Sequence, residues 1–423
     1  MSSPCSKRGA LERAGTASLL ALASACNAPD PLPSTGGATL DEGPCGHGLY
    51  VVTSDYQSTS TAIIDWSGVV HSARLIGSGS SAPGLGAALS GDVVAPSERV
   101  QSGRIVLIDR FPAGVLSFVD PGSAEVLHQT SVGTGFAANP QDYLELESGE
   151  AYVSRYESNP SPGAQPFDEG GDLLILDDGG LRITGRVALD GALVGAEPEL
   201  LPRPSRMLRL GERVVVLLSA YSRSFTVSGD ARLALVDPST HTVTGWAVLP
   251  GGRGCSALAR SPSGTRIAVG CSGSFGGTST PTLDDAGVVV LRVEGAELVE
   301  EARFVAAEVL GDPPGFSLAF ASERHLVVPT FGRLATSGEA ARDDRLLELD
   351  LETGSVNERM RSEREPFTIG EVRCGAACGA CFVADAGRSR IVRYSTAPGG
   401  LASPRGIELG DGVGLPPRYL GAY

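Results

Sequence analysis

A pattern that recurs about every 55 residues constrains the fold of this 423-residue chain more than any other feature. Each copy has four apolar-rich residues, an anchor residue, a small turn and an alternating strand. The copies read TAIIDWSGVV, LSFVDPGSAEV, LLILDDGGLRI, LALVDPSTHTV, VVVLRVEGAEL, LLELDLETGSV and RIVRYSTAPGGL, with anchors Asp65, Asp120, Asp177, Asp237, Arg292, Asp350 and Tyr394. Repeats of this period stack so that neighbouring units bury a continuous core. Seven units fit the chain.

Each unit is predicted to hold four short strands. In the third unit they cover 141–147, 150–156, 172–177 and 181–189, and the first two meet at a tight SGE turn. Four antiparallel strands in every repeat are typical of β-propeller blades. The first unit lacks an innermost strand, whereas the chain ends in a single strand, PPRYLGAY. We therefore expect an all-β, seven-bladed propeller over 45–423, closed by the last strand pairing with the first blade, which removes an exposed sheet edge.

Two stretches carry a family resemblance. NPQDYLELESGEAYVSRY and GCSALARSPSGTRIAVGCS are similar to the Pro, short strand, Gly turn and "yVs/yVt" block of the YncE-like (YVTN-repeat) propellers, as is the Asp turn after the third strand. The resemblance spans most of 45–423 and implies a WD40-like architecture, although the paired GH and WD dipeptides of WD40 repeats are absent. It implies no single ligand, because that family binds varied partners.

The N-terminus has the layout of a secretory signal peptide. Lys7, Arg8 and Arg13 give a basic start, and 14–25 form a short apolar run. We therefore predict that residues 1–25 are a cleaved signal peptide.

The predicted cleavage site ends in a cysteine. Ala23-Ser24-Ala25-Cys26 suits an ordinary signal peptidase and also resembles the bacterial lipobox, in which Cys26 is lipidated. By the same resemblance, Asn27 in place of Asp favours the outer membrane. Residues 26–44, rich in Pro and Gly, are predicted to be a disordered tether. The alternative is a freely secreted protein.

Cysteine parity supports lipidation. Without residues 1–25 and with Cys26 lipidated, six cysteines remain, an even number that suits an oxidising compartment. Cys255 and Cys271 flank one predicted hairpin turn, Cys374 and Cys381 flank another, and such positions suit disulfides. Cys45 and Cys378 are left and would be neighbours in a closed ring. A zinc site at Cys374, Cys378 and Cys381, with Cys45 or His47 as the fourth ligand, is the alternative.

Charge excludes several classes of function. The net charge of −15 repels phosphate backbones, so we expect no nucleic-acid partner. Lys7 is the sole lysine, which excludes Schiff-base and P-loop chemistry in the mature chain. No apolar run reaches the roughly 20 residues that a membrane-spanning helix needs, so the lipid anchor would be the membrane contact.

One face of the propeller is predicted to carry the long loops. With strands named a to d from the channel outward, the long b–c loops are 157–171, 220–229, 273–284 and 331–343. Long loops carry function more often than tight turns, so this face is the expected binding face.

The long b–c loops end in Asp172, Asp230, Asp285 and Asp344. These acids could bind Ca²⁺ if they converge on the channel mouth. Alternatively they start strands by bonding local backbone, and no cofactor is needed.

Histidine placement argues against catalysis. The five histidines all fall outside the long b–c loops: His47, His71, His128, His241 and His325. The sequence shows no Ser-His-Asp or metal–histidine group among them. The sequence therefore favours a lipid-anchored, non-catalytic binding or scaffold module for a protein or glycan at the cell envelope. The alternative is a metal-dependent periplasmic hydrolase of the lactonase-like propeller type, using channel-mouth carboxylates.

Overall fold

The computed structural model describes residues 34–274, 283–295, 297–335, 338, 340–363, 366–410 and 414–423. The predicted signal peptide, Cys26 and most of the b–c loop 273–284 lie outside these ranges. No helix within the described ranges is long and apolar enough to cross a membrane.

The described chain forms the seven blades that the repeat predicts. Blade 1 begins with β1 (Ser34–Thr35), β2 (Leu49–Ser54), β3 (Thr59–Ile64) and β4 (Val70–Arg74). Blade 2 has β5 (Val93–Val94), β6 (Ile105–Asp109), β7 (Val115–Val119) and β8 (Val126–Ser131). Blade 3 has β9 (Pro140–Glu145), β10 (Ala151–Arg155), β11 (Asp172–Leu176) and β12 (Ile183–Ala188). Blade 4 has β14 (Pro204–Leu210), β15 (Arg213–Leu218), β17 (Arg232–Asp237) and β18 (Thr242–Val248). A separate two-stranded ribbon pairs β13 (Leu200–Leu201) with β16 (Tyr221–Ser222).

The remaining blades follow the same order. Blade 5 has β19 (Cys255–Arg260), β20 (Arg266–Ser272), β21 (Ala286–Glu294) and β22 (Glu297–Val305). Blade 6 has β23 (Ala319–Phe320), β24 (His325–Thr330), β25 (Arg345–Asp350) and β26 (Val356–Arg361). Blade 7 has β27 (Ile369–Gly375), β28 (Ala380–Asp385), β29 (Arg390–Ala397) and β30 (Gly400–Ile407), and β31 (Pro417–Ala422) ends the chain. Short helical turns occupy Asp178–Gly180, Asp190–Leu193, Ala306–Leu310, Ala376–Cys378 and Ala386–Arg388.

The last strand closes the ring. β31 pairs antiparallel with β2 and becomes the innermost strand of blade 1, which confirms the predicted closure. At the outer edge of that blade, β1 pairs in parallel with β4, and the Ala38 N–H donates to the Pro121 carbonyl. The packed part of the chain therefore begins ahead of residue 45, within the segment that the sequence assigns to the tether.

Burial follows strand position within each blade. β2, β3, β10 and β11 are buried along their whole length because they lie between neighbouring blades, and they are correspondingly apolar. The outer strand β18 alternates between exposed and half-buried residues instead. The core is a series of layers between blades rather than one central core.

The anchor aspartates of the repeat close the c–d turns. Asp237 accepts hydrogen bonds from the N–H and hydroxyl of Ser239 at 2.8 and 2.7 Å, and Asp120 does the same with Ser123. The hydrogen bond from the Ser239 hydroxyl holds the pKa of Asp237 below its usual value. A short acidic side chain suits this position because its carboxylate can accept a hydrogen bond from the backbone N–H two residues later in the chain.

Two faces of the disc can now be defined. The tight-turn face carries the a–b and c–d turns, such as 211–212 and 238–241. The long-loop face carries the b–c and d–a connections, which are long at the b–c position in blades 3 to 6.

Candidate functional site

The four predicted cation-binding acids lie on the long-loop face, but not at the channel. Asp172, Asp230, Asp285 and Asp344 lie at or next to the start of the third strand of blades 3 to 6, two strands away from the channel. Among the described residues, no three His, Cys, Asp or Glu side chains come together as metal ligands. These acids therefore do not converge as the Ca²⁺ hypothesis requires.

Asp172 and Asp344 are fully buried and have protein partners. Asp172 accepts from Nε and Nη2 of Arg155, both at 2.8 Å, and both side chains are inaccessible to solvent. Asp344 accepts the N–H of Gly332 at 2.7 Å in blade 6, and the N–H groups of Thr368 at 2.6 Å and Ile369 at 3.0 Å at the start of blade 7. A buried carboxylate requires partners of this kind.

Asp230 and Asp285 share an arginine. Asp285 accepts from the Ser274 hydroxyl at 2.7 Å and lies 3.8 Å from Arg253, and Asp230 lies 3.9 Å from the same Arg253. Asp230 also accepts the Gly251 N–H at 3.1 Å. Both acids therefore organise the connection between blades 4 and 5.

All six described cysteines are paired as predicted. Disulfides join Cys255 to Cys271 and Cys374 to Cys381 across hairpins, and Cys45 to Cys378 between the first and last blades. No described thiol is left to bind zinc.

The histidines are dispersed and have local partners. His71 pairs with Asp65 at 2.9 Å, His241 contacts the Tyr152 hydroxyl at 2.8 Å, and His325 contacts the Ser322 hydroxyl at 3.1 Å. His47 bonds the Leu40 carbonyl at 2.8 Å, and His128 stacks on Phe118. No two of them belong to a common catalytic group among the described residues.

The channel, by contrast, holds a polar cavity of about 360 Å³. Its walls come from the innermost strands, and it reaches the a–b turns of blades 5 and 7, at the tight-turn end. The charged side chains that line it are Glu98, Arg99, Arg206, Arg260, Glu371 and Arg373. Met207, Leu258, Leu318 and Trp66 supply apolar wall. This combination of apolar surface and a few polar groups is typical of ligand sites.

Buried acids stand around this cavity. Asp142 on β9 accepts the N–H of Ser97 at 2.8 Å and of Met207 at 2.7 Å, which links blades 2, 3 and 4. Glu371 on β27 accepts the Leu420 N–H at 3.1 Å. Burial raises the pKa of both carboxyls above their ordinary values, and nearby arginines oppose that shift.

Arg373 acts as a clamp at the ring closure. Its guanidinium donates to the Leu420 carbonyl on β31 at 2.8 Å, to the Pro96 carbonyl at 2.7 Å and to the Ser97 carbonyl. One side chain of blade 7 therefore reaches the closing strand and blade 2. Arg373 also lies 3.4 Å from the Glu371 carboxylate on the same strand, which offsets part of its positive charge in the channel.

Two other charged groups in the cavity have few partners. Arg206 Nη1 is buried and has no hydrogen-bond partner in the described part of the chain. Glu98 of blade 2 lies 3.6 Å from Arg260 of blade 5, so this ion pair crosses the channel. Burial raises the pKa of Glu98, against the pull of Arg260 and Arg209. Sequence reasoning missed this cluster, because the charged residues that line the cavity come from four different blades and share no motif.

The long-loop face has its own distinguishing feature, a set of exposed aromatic rings. Five rings between 44% and 60% exposed lie in b–c or d–a connections: Tyr56, Phe111, Phe225, Phe316 and Phe367. Another exposed ring, Trp246, lies on the outer strand β18, and none of the described exposed rings is on the tight-turn face. The exposed aromatic surface is therefore concentrated on one face.

Several of these rings are held in place. The buried Arg203 guanidinium lies 4.2 Å from the centre of the Phe225 ring, and Arg418 lies 4.9 Å from that of Tyr56. Phe316 and Phe367 pack on either side of Phe331, with ring centres 4.8 and 4.9 Å from it. These contacts restrain the rings before any partner arrives.

Comparisons with known proteins support the fold. No family model and no curated protein matches the sequence. The β-propeller domain of Cps50 (Swd1) from Myceliophteria thermophila is similar in structure, with a TM-score of 0.56, 10% identity, and coverage of 87% of this chain and 100% of that one. Hydrazine synthase of Kuenenia stuttgartiensis matches with a TM-score of 0.53, 12% identity, and coverage of 88% and 99%.

A third similar structure is a candidate 6-phosphogluconolactonase from Bacteroides fragilis, with a TM-score of 0.51, 12% identity, and coverage of 88% and 97%. At such identities the likeness concerns the fold alone. The chain is a seven-bladed β-propeller.

Proposed function

We propose that this protein is a non-catalytic binding module of the cell envelope that holds a protein partner on its long-loop face. The observation that carries the proposal is the placement of the exposed aromatic rings, five of which lie on that face. Aromatic side chains are enriched in protein interfaces, where a few well-packed anchor residues carry most of the binding energy. Clustered exposed apolar surface marks interaction sites.

A protein partner suits this surface better than a glycan. In addition to the rings, the b–c and d–a connections of this face expose the aliphatic side chains of Val194, Val309 and Leu334. Aliphatic groups pack against protein side chains but offer no flat surface on which a sugar ring can stack. Because Phe225 and Tyr56 are already restrained by arginines, binding orders them at little entropic cost.

We further propose that Cys26 carries a lipid anchor and that the protein belongs to the outer membrane as a YncE-like lipoprotein. The signal-peptide layout and the lipobox resemblance at residues 23–26 support this part of the proposal. The measurement is the intact mass of protein extracted from membranes of a Gram-negative host, beside Cys26→Ala. Acyl mass on the wild type that is lost in the variant is the expected result. A bare Cys26 would indicate a secreted protein instead.

The long-loop face is tested by comparing two variants. Phe225→Ser/Phe367→Ser removes two rings from the long-loop face, whereas Leu181→Ser removes an equally exposed apolar side chain, 58% exposed, from the tight-turn face. Full-length proteins are crosslinked on intact cells and their partners identified by mass spectrometry. We expect one protein to be retained by wild type and Leu181→Ser and lost with the double variant.

Two results would overturn the proposal. Equal retention by all three proteins would show that the rings do not bind the partner. Binding that glycosidase treatment of the cells abolishes would identify a glycan as the ligand. The hydrolase alternative needs a metal, and the described residues offer no cluster of three His, Cys, Asp or Glu ligands for one.

A further inference from the structure

We propose a second binding site, in the channel cavity, that takes a small organic carboxylate with an apolar body. Arg206 and Arg260 would hold the carboxylate, and Leu258 and Leu318 would contact the apolar part. Of the five exposed rings of the long-loop face, Phe316 also lines this cavity, whereas Arg206 lies on β14 and Arg260 on β19, both innermost strands.

The first argument is the charge of the cavity. Four arginines and two glutamates form the wall itself; Asp142 lies behind the wall, and Glu42 pairs with Arg99 at 3.6 Å from outside the lining. The whole chain has a net charge of −15, so this local excess has the opposite sign to the molecule. A concave site with low-dielectric walls focuses such a field and concentrates counter-ions of opposite charge.

The second argument is the unfilled donor on Arg206. Its Nη1 is buried without a hydrogen-bond partner in the described part of the chain, although Asp142 lies near enough to feel its charge. The carboxylate of Asp142 is instead occupied by backbone N–H groups of Ser97, Tyr143 and Met207. A buried charged donor costs free energy unless an acceptor satisfies it. A ligand carboxylate would supply that acceptor, since it matches the planar guanidinium fork.

The third argument concerns the rest of the wall. Arg373 donates to carbonyls of β31 and of blade 2 and pairs with Glu371 at 3.4 Å, so its charge is already partly compensated. Met207, Leu258 and Leu318 are apolar, so a fully hydrated ion would leave them in contact with water. A cavity of about 360 Å³ accommodates an aromatic or branched carboxylate.

The experiment is calorimetric titration of the full-length protein with benzoate, with benzyl alcohol as the neutral analogue and phenyl phosphate as the alternative anion. We expect benzoate to bind at least about tenfold more tightly than benzyl alcohol, the effect of one hydrogen bond to a charged group. Equal binding of benzoate and benzyl alcohol, or the absence of benzoate binding, would overturn the proposal. Tighter binding of phenyl phosphate would overturn the carboxylate assignment.

Variants locate the binding. Arg206→Met and, separately, Arg260→Gln should each weaken benzoate binding by about tenfold, and Glu98→Gln should strengthen it because a negative charge leaves the cavity. Arg182→Met is the matched control, since that side chain is 79% exposed on a c–d turn of the same face. Arg260 lies at the partly exposed rim, so its variant remains informative if Arg206→Met fails to fold. Unchanged benzoate affinity in Arg260→Gln would overturn the site.

Discussion

Cys45, in the segment ahead of blade 1, is bonded to Cys378, in the a–b turn of blade 7, although 333 residues separate them in sequence. The C-terminal strand β31 pairs with β2 within blade 1, and Arg373 of blade 7 donates to the Leu420 carbonyl on β31 and to the Pro96 carbonyl of blade 2. The ring is therefore closed by a covalent bond, by backbone hydrogen bonds and by a side chain. Each of these contacts joins the two ends of the chain.

Removing the closing disulfide should destabilise the protein substantially. The double variant Cys45→Ser/Cys378→Ser frees a loop of 333 residues in the unfolded state, and we expect it to lose about 2–5 kcal/mol of unfolding free energy. Chemical denaturation under oxidising conditions measures this loss.

The hairpin disulfide is the matched control. Cys255→Ser/Cys271→Ser opens a loop of 16 residues, and the chain-entropy model gives a loss smaller by about 2–3 kcal/mol. Equal denaturation midpoints for wild type and Cys45→Ser/Cys378→Ser would show that the bond does not stabilise the closure.

The buried ion pair of blade 3 should behave as a unit. Arg155→Met leaves Asp172 buried without its main partner, and we expect a loss of about 3–5 kcal/mol. Asp172→Leu should lower the unfolding free energy by a similar amount, because it leaves Arg155 buried without its carboxylate partner. The double variant should lose much less than the sum, since no charge is then left unpaired. Additive losses in a denaturation cycle would contradict this account.

The repeat architecture could be predicted from sequence because it depends on local pattern. Anchor aspartates mark five of the seven c–d turns, as Asp237 does through Ser239, and the missing innermost strand of blade 1 predicts the role of β31. Two of the cysteine pairs follow from hairpin geometry once the strands are placed, and the pair Cys45–Cys378 follows from closure of the ring. The turns and hairpins depend on contacts that are local in sequence.

The channel could not be predicted, because the innermost strands are irregular. β14 departs from regular pairing between Pro204 and Met207, where Arg206 lies, and β27 does so between Ile369 and Val372, where Glu371 lies. A bulge changes which face of the strand a side chain occupies, so simple alternation assigns these residues wrongly. The protein partners of the acids at the third strands could not be predicted for a related reason: sequence spacing did not reveal that Arg155 is buried against Asp172.

Asp344 should stabilise the junction of blades 6 and 7 without any cation. Asp344→Ala leaves the N–H groups of Gly332, Thr368 and Ile369 without this acceptor, and we expect a loss of about 2–4 kcal/mol. Wild-type melting should be the same with EDTA and with millimolar Ca²⁺. A higher melting temperature in Ca²⁺ that is absent from Asp344→Ala would show that a cation contributes.

Anion binding in the channel should strengthen as pH falls. Burial raises the pKa of Glu98 above the ordinary glutamate value; Arg260, Arg209 and Arg373 oppose this shift, and Asp142 reinforces it. As pH falls from neutrality through this raised pKa, Glu98 takes up a proton and loses its negative charge. Repulsion of a bound carboxylate then decreases, so benzoate affinity should rise while the pH stays above the pKa of benzoate itself. Glu98→Gln has no proton to gain at this position and should bind benzoate tightly at neutral pH, with a flatter pH profile. Calorimetric titrations across this range compare the two proteins, and a wild-type affinity that falls with pH would contradict the role assigned to Glu98.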